Sequence, residues 1–403
     1  MDNQVWKEME EEAGQEPKLA ITGQKTGKDR KWLMPLIIFL SIAVIGGATA
    51  VALLVADNNA KNAESQNVAS GNDVEAVEAT IDLADNSSTT SNVDAVKIDG
   101  NNITIKQPGE YTLSGALSSG SVVVEAGDGA VTLVLGGISI TNEDGPAIVF
   151  KQTSASYIVL TEGSENSLTD GTVADEDYDA ALYSVATLTL SGEGSLTVNG
   201  RSQEGIATEN DLIFESGNYN ITAYDDGLNA NQDGVSVITI NGGTLNINAG
   251  GDGIDSNGDL VINGGVVIAA GDLTDANGGL DADGTIEING GTVIAMGERN
   301  SLPASSSGQK SLLVSFETVL AAGTKVAVRS GETTVAAFEL TKRTSELVVS
   351  AAGLADGASY GVYTGVTLTG GGEDGVYASS TGGTQVKTVT TDSIGSGSSS
   401  GRR

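Results

Sequence analysis

The chain has no cysteine and no histidine among its 403 residues. Disulfides, thiolate nucleophiles, Cys/His zinc sites and histidine acid–base catalysis are excluded by that absence. An exported protein of this kind must be held together by packing, backbone pairing or a bound metal. Proline is scarce (5) and aromatic residues make up only 4%, whereas glycine is abundant (55). That profile predicts a turn-dense β protein without large rings in its core. Cations are scarce too. Twenty Lys and Arg face 53 Asp and Glu, a net charge of −33, and between Lys106 and Arg299 the only basic residues are Lys151 and Arg201. Such a surface repels nucleic acid and anionic lipid and concentrates cations.

One long apolar run stands out. Trp32 to Ala56 carries no charge and is long enough to cross a hydrocarbon core as a helix. Lys25, Lys28, Arg30 and Lys31 precede it, while Asp57 follows and no basic residue appears before Lys61. The positive-inside bias predicts a single transmembrane helix at the cell membrane, with residues 1–31 cytoplasmic and the rest extracellular. A cleaved signal peptide ending at Ala48-Thr49-Ala50 is the competing reading; the long charged head and the continued hydrophobicity favour the anchor. Residues 57–95 read as a disordered stalk and 393–403 as a Ser/Gly-rich tail.

Between these lies a repeat. Gly227-Leu228-Asn229, Gly253-Ile254-Asp255 and Gly279-Leu280-Asp281 recur at a spacing of 26, and Gly205-Ile206 and Ala181-Leu182 extend the series upstream. Alternating strands sit between the steps, among them Thr187-Leu188-Thr189-Leu190, Val237-Ile238-Thr239-Ile240 and Thr285-Ile286-Glu287-Ile288. Three strands run into an Asn-Gly-Gly turn, at 241–243, 263–265 and 289–291. No 3.6-residue apolar stripe is present. Whole multi-strand units recurring in register indicate a solenoid with one coil per repeat. The expectation is all-β: a right-handed parallel β-helix over 96–300. A small C-terminal β module over 301–392 closes or extends its end, as solenoids need capping.

The repeat also stacks acids. Asn229, Asp255 and Asp281 share one column, Asn231, Asn257 and Asp283 another two residues on, and Asp226 and Asp252 a third with Asp225 beside it. Carboxylates one coil apart, at about 4.8 Å, repel by roughly 3–4 kcal/mol at an effective dielectric of 20. No Lys or Arg in these coils compensates. A hard divalent cation would, and Ca²⁺ accepts carboxylates, amide carbonyls and backbone oxygens in irregular geometry. The competing reading makes these residues Asx-turn caps at coil corners with no metal. The metal candidates are thus Asp225, Asp226, Asn229, Asp252, Asp255, Asn257, Asp281 and Asp283.

At this point the residues resemble a family: the β-helical carbohydrate-binding-domain proteins of Gram-positive bacteria. Its carriers are Ala249-Gly250-Gly251-Asp252-Gly253-Ile254-Asp255-Ser256-Asn257-Gly258-Asp259-Leu260, then Ile262-Asn263-Gly264-Gly265, and earlier Ile105 to Gly115 (IKQPGEYTLSG). The resemblance implies a pectate-lyase-like fold, bound calcium and binding of cellulose-like or acidic polysaccharide.

Function divides three ways. The first is a non-catalytic, calcium-dependent polysaccharide-binding protein. Neither Trp6 nor Trp32 falls after the apolar run, so stacking on sugars falls to tyrosine. Tyr178 and Tyr224 each sit four residues before a column aliphatic and are the substrate-binding candidates. The second is an enzyme on acidic polysaccharide. A lyase needs a basic residue near the acid columns, and the local sequence lacks one. A glycosidase needs only paired carboxylates, which Asp225/Asp226 and Asp252/Asp255 would supply. The third is a structural surface protein or adhesin.

Overall fold

The computed structural model describes residues 77–173, 177–372 and 374–391. The expected transmembrane run at 32–56 and its cytoplasmic head, the first part of the stalk and the Ser/Gly tail lie outside the described residues.

The described chain is a parallel β-solenoid of about seven turns. Each coil contributes three short strands to three faces. In one coil Leu188–Gly192 lies on the first face, Ser195–Gly200 on the second and Glu204–Thr208 on the third. Equivalent strands of successive coils pair in parallel and in register, so inward side chains form columns. On the first face Leu188, Leu212, Ile238, Leu260 and Ile286 stack in order. On the third, Ile148, Leu182, Ile206, Leu228, Ile254 and Leu280 do the same. All are buried. Alternation within each strand thus sends one set of side chains into a dry interior and the other to the outer surface.

The corners explain the glycines. Gly243, Gly265 and Gly291 close the Asn-Gly-Gly turns at φ of 87°, 81° and 83°, a region that L side chains avoid. The asparagines before them form a ladder. Asn263 Nδ2 donates to Asn241 Oδ1 (2.9 Å) and Asn289 Nδ2 to Asn263 Oδ1 (3.0 Å). Gly227, at the corner between second and third faces, is needed for close approach. A Cβ there would fall 2.2 Å from Ile247 Cγ2 and 2.5 Å from the Gly253 carbonyl. Gly227→Ala is expected to cost about 1–3 kcal/mol by overpacking, read as a lower urea midpoint.

Two expectations need correction. The solenoid starts earlier than residue 96: Val77–Leu83 already pairs in parallel with Gly109–Leu117, so residues 77–95 belong to the fold rather than to a stalk. The core also holds large rings. Tyr111, Tyr219, Phe150 and Phe214 are fully buried, with Phe214 and Tyr219 edge-on at 5.0 Å and the Tyr219 hydroxyl donating to Ser216 O at 2.7 Å. The aromatics are few, but several of them are inside.

Beyond the last coil the pairing turns antiparallel. Thr344–Ser350 pairs with Thr292–Gly297 on one side and with Ser311–Leu320 on the other. A four-stranded antiparallel sheet follows, built from Lys325–Ser330, Thr333–Glu339, Ser359–Thr364 and Thr384–Thr390. It packs against the outer side of the second face, where Ile268, Ala270, Ile294 and Met296, with Leu347 of the sealing strand, meet Val326, Val328 and Phe338 in one buried cluster.

Candidate functional site

Three successive coils enter the third face through a corner that reads acid, glycine, aliphatic. Glu204-Gly205-Ile206, Asp226-Gly227-Leu228 and Asp252-Gly253-Ile254 are successive copies, set one above the next by the pairing of Ile206 with Leu228 and Leu228 with Ile254. The acid before the glycine therefore recurs on every coil of this stretch. Asp252 N–H donates to Asp226 Oδ1 and Gly278 N–H to Asp252 Oδ1, both at 2.6 Å. Asn300 ends the series, its Oδ1 accepting from Gly279 N–H at 2.8 Å. Asp225 lies against the same corner: a Cβ on Gly251 would fall 2.3 Å from Asp226 Oδ1 and 2.4 Å from Asp225 Oδ1.

A second column runs along the outside of the third face. Asn229 pairs with Asp255 and Asp255 with Asp281. Asp281 is exposed and accepts the Ser301 hydroxyl. Two residues on, Asn257 Nδ2 donates to Asn231 O and Asp233 Oδ1, both at 3.2 Å, while Asp283 is exposed and its N–H bonds Ser256 O at 3.0 Å. The fold thus gathers Asp225, Asp226, Asn229, Asp252 and Asp255 at one corner and its adjoining strand. Asn257, Asp281 and Asp283 lie at the margins.

Charge at this corner is uncompensated. Burial pushes Asp226 up to about 8, Asp252 to about 7 and Asp255 to about 6, and neighbouring carboxylates, Asp225 and Asp281 among them, add to the effect. Glu204 is raised by burial first and then by Asp179, Asp226 and Asp225. None of these acids forms an ion pair among the described residues. Glu204 is only 7% exposed, and its Oε2, like Asn229 Oδ1, is buried without a hydrogen-bond partner. Orphaned oxygens beside mutually repelling carboxylates suit a hard cation with oxygen ligands. Among the described residues no three acidic side chains converge as a metal cage. An ion would draw on acids of adjacent coils together with amide and backbone oxygens.

Sequence reasoning missed Glu204, although the signal was present: it stands before Gly205 as Asp226 stands before Gly227. It also missed Lys342, which no local pattern could supply. Lys342 Nζ donates to the Ala249 carbonyl and lies 3.9 Å from Asp272 Oδ1, so a cation reaches the turn that leads into the acid corner, from 93 residues away in sequence, without pairing with the corner acids.

The two candidate tyrosines differ. Tyr178 packs edge-on against Tyr183 at 5.3 Å, with Lys151 Nζ 4.5 Å from its ring centroid. Tyr224 is 72% exposed and adjoins Asp225 and Asp226. At the far edge of the third face is an open groove lined by Val185, Glu209, Asn210, Asn231, Asp233 and Val235. The Tyr183 hydroxyl donates to Glu209 Oε1 at its rim (2.7 Å). The groove's lining is mostly polar, with planar amide and carboxylate groups of the kind that bond sugar hydroxyls.

The chain has likenesses among known proteins. A protein described as "Carbohydrate-binding domain-containing protein", from Acetivibrio thermocellus, is 35% identical over 139 residues, 33% of this chain and 49% of the relative. The chain spans about half the length of the curated relative it matches. A solved structure, the polysaccharide lyase-like protein from C. thermocellum as its gadolinium derivative, shares 29% identity at a TM-score of 0.43, covering 54% of this chain and 94% of that one. The family model described as "Carbohydrate-binding domain-containing protein" matches residues 99–392, most of the solenoid and the C-terminal strands. The chain belongs to the carbohydrate-binding domain-containing protein family.

Proposed function

We propose that this is a cell-surface polysaccharide-binding protein, non-catalytic and calcium-dependent, held at the membrane by the apolar run at 32–56. The observation that carries the reading is the corner where half-buried carboxylates without ion-pair partners, and the buried Glu204 with its orphaned oxygen, adjoin an exposed tyrosine, in a chain of a carbohydrate-binding family. Asp226, Asp252 and Asp255, with Asn229 and Glu204 behind them, are the residues that would hold Ca²⁺. Bound there, the ion supplies charge neutralisation and a bridge to carboxylates of an acidic glycan. Tyr224 offers its ring to a sugar face. The acidic solenoid otherwise repels a polyuronate, so the ion and the ligand belong together.

Lys342 supports one second reading, a lyase on acidic polysaccharide. Burial lowers the pKa of its amine, and an amine with a lowered pKa near an acidic ladder is a candidate proton acceptor. A glycan array with calcium and with chelator tests the first reading. Acidic glycans should bind in calcium and vanish in chelator, and chelator-insensitive binding contradicts it. Unsaturated-product absorbance on polygalacturonate should stay flat for a binder and rise for a lyase.

A further inference from the structure

The sequence leaves the acid corner almost without cations, and the fold spends the two available ones elsewhere. Arg201 reaches Glu143 at 3.5 Å, and Lys151 sits over Tyr178. The cations that do arrive come from residues 342 and 343, just before the strand Thr344–Ser350 that seals the last coil. Lys342 Nζ donates to the Ala249 carbonyl and stands 3.9 Å from Asp272 Oδ1. Arg343 is exposed and its guanidinium makes no ion pair among the described residues, while its charge acts on the Asp272 carboxyl. Asp272 is held below the usual carboxylate range by the Leu273 N–H first, with Lys342 and Arg343 contributing.

These groups share one place. Ala249 leads directly into Gly250-Gly251-Asp252. Gly250 stacks on Tyr224, so closely that a Cβ would fall 1.9 Å from the Tyr224 carbonyl. Asp272 N–H donates to Gly251 O at 3.1 Å. An exposed ring, two cations and the acid ladder therefore lie within adjoining coils of one corner.

A strap between the C-terminal strands and the solenoid is the plain account of this contact. It explains little of it. An ion pair at 3.9 Å with a 41% exposed carboxylate adds little to stability, and a strap leaves Arg343 without a role.

We propose that Lys342 and Arg343 form a subsite for the sugar carboxylate of a uronic-acid polysaccharide, with Asp272 occupying it in the free protein. The proposal rests on the polysaccharide-binding reading and names the residues that select acidic over neutral chains. A planar guanidinium beside an ammonium suits a carboxylate, the first by paired hydrogen bonds and the second as a point charge.

The test compares the full chain with two variants in calcium, Lys342→Ala/Arg343→Ala and Asp272→Asn. The probes are an oligogalacturonate and a neutral cello-oligosaccharide. The double variant should lose at least about tenfold in affinity for the acidic probe and keep its affinity for the neutral one. Asp272→Asn should gain several-fold for the acidic probe, because it releases two cations. A strap predicts instead that both variants change binding in the same direction and lower the thermal midpoint together. Equal acidic affinity in all three proteins overturns the proposal, as does a wild type that binds only the neutral probe, which leaves the polysaccharide-binding reading standing. A wild type that binds neither probe overturns both.

Discussion

In chelator, the protein is expected to lose stability as pH rises from about 4 to about 8, and calcium should restore it at the upper end. The sign follows from the acid corner. Asp226, Asp252 and Asp255 have folded-state values of about 8, 7 and 6 against an ordinary 3.8, with burial as the main cause. A carboxyl raised in the folded state keeps its proton while the unfolded chain has already released it. The metal-free fold therefore has its full stability below about pH 4 from these groups, and loses it progressively as pH climbs through the folded values. One proton retained across about three pH units corresponds to roughly 4 kcal/mol, or on the order of 10 °C in the midpoint. A cation that binds the ionised corner removes the penalty and reverses the slope. Thermal denaturation across this pH range, with chelator and with calcium, reads both. A metal-free midpoint that rises steadily through neutral pH would show that these carboxyls are not strained.

Neutralising Asp255 should act in opposite directions in the two states. Its column neighbour one coil earlier is Asn229, so an amide is already accommodated at this position. In chelator near pH 8, Asp255→Asn removes repulsion from Asp281, Asp283 and Asp225. Each close pair is worth up to roughly 3–4 kcal/mol at an effective dielectric of 20, and the variant should be more stable than the wild type. In calcium it should be less stable, because a ligand has gone. If these residues only cap backbone at the corners, Asn serves as well as Asp and neither difference appears. The neutral ladder of Asn241, Asn263 and Asn289 shows what capping alone looks like. There the side chains bond one another and need no ion.

The three-faced coil was legible because it repeats. Leu228, Ile254 and Leu280 sit at equal spacings in the sequence, and the fold stacks them in that order. What escaped was of three kinds. Val77–Leu83 was hidden because its environment reads as polar, yet Ala79, Ile81 and Leu83 alternate inward. The docking of the C-terminal strands had a visible signal that was not used. Val266–Ala270 and Thr292–Gly297 are apolar on consecutive residues, not alternate ones, and a strand covered on both faces has that composition. Lys342 had no signal at all, since its partner Ala249 is distant in sequence and contributes only a backbone oxygen. Local pattern reveals the columns of the solenoid, and tertiary packing decides which charges reach them.

In the function proposed above, the corner of Glu204, Asp226, Asp252 and Asp255 is a cation site poised by its own repulsion. Calcium titration calorimetry near pH 7, repeated in buffers of different ionisation enthalpy, tests it most directly. Calcium binding to the wild-type chain is expected to release protons, because carboxyls raised toward neutrality must ionise to become ligands. Asp252→Asn/Asp255→Asn should lose both the binding and the proton release. Calcium binding without proton release, or binding left unchanged in the double variant, would contradict it.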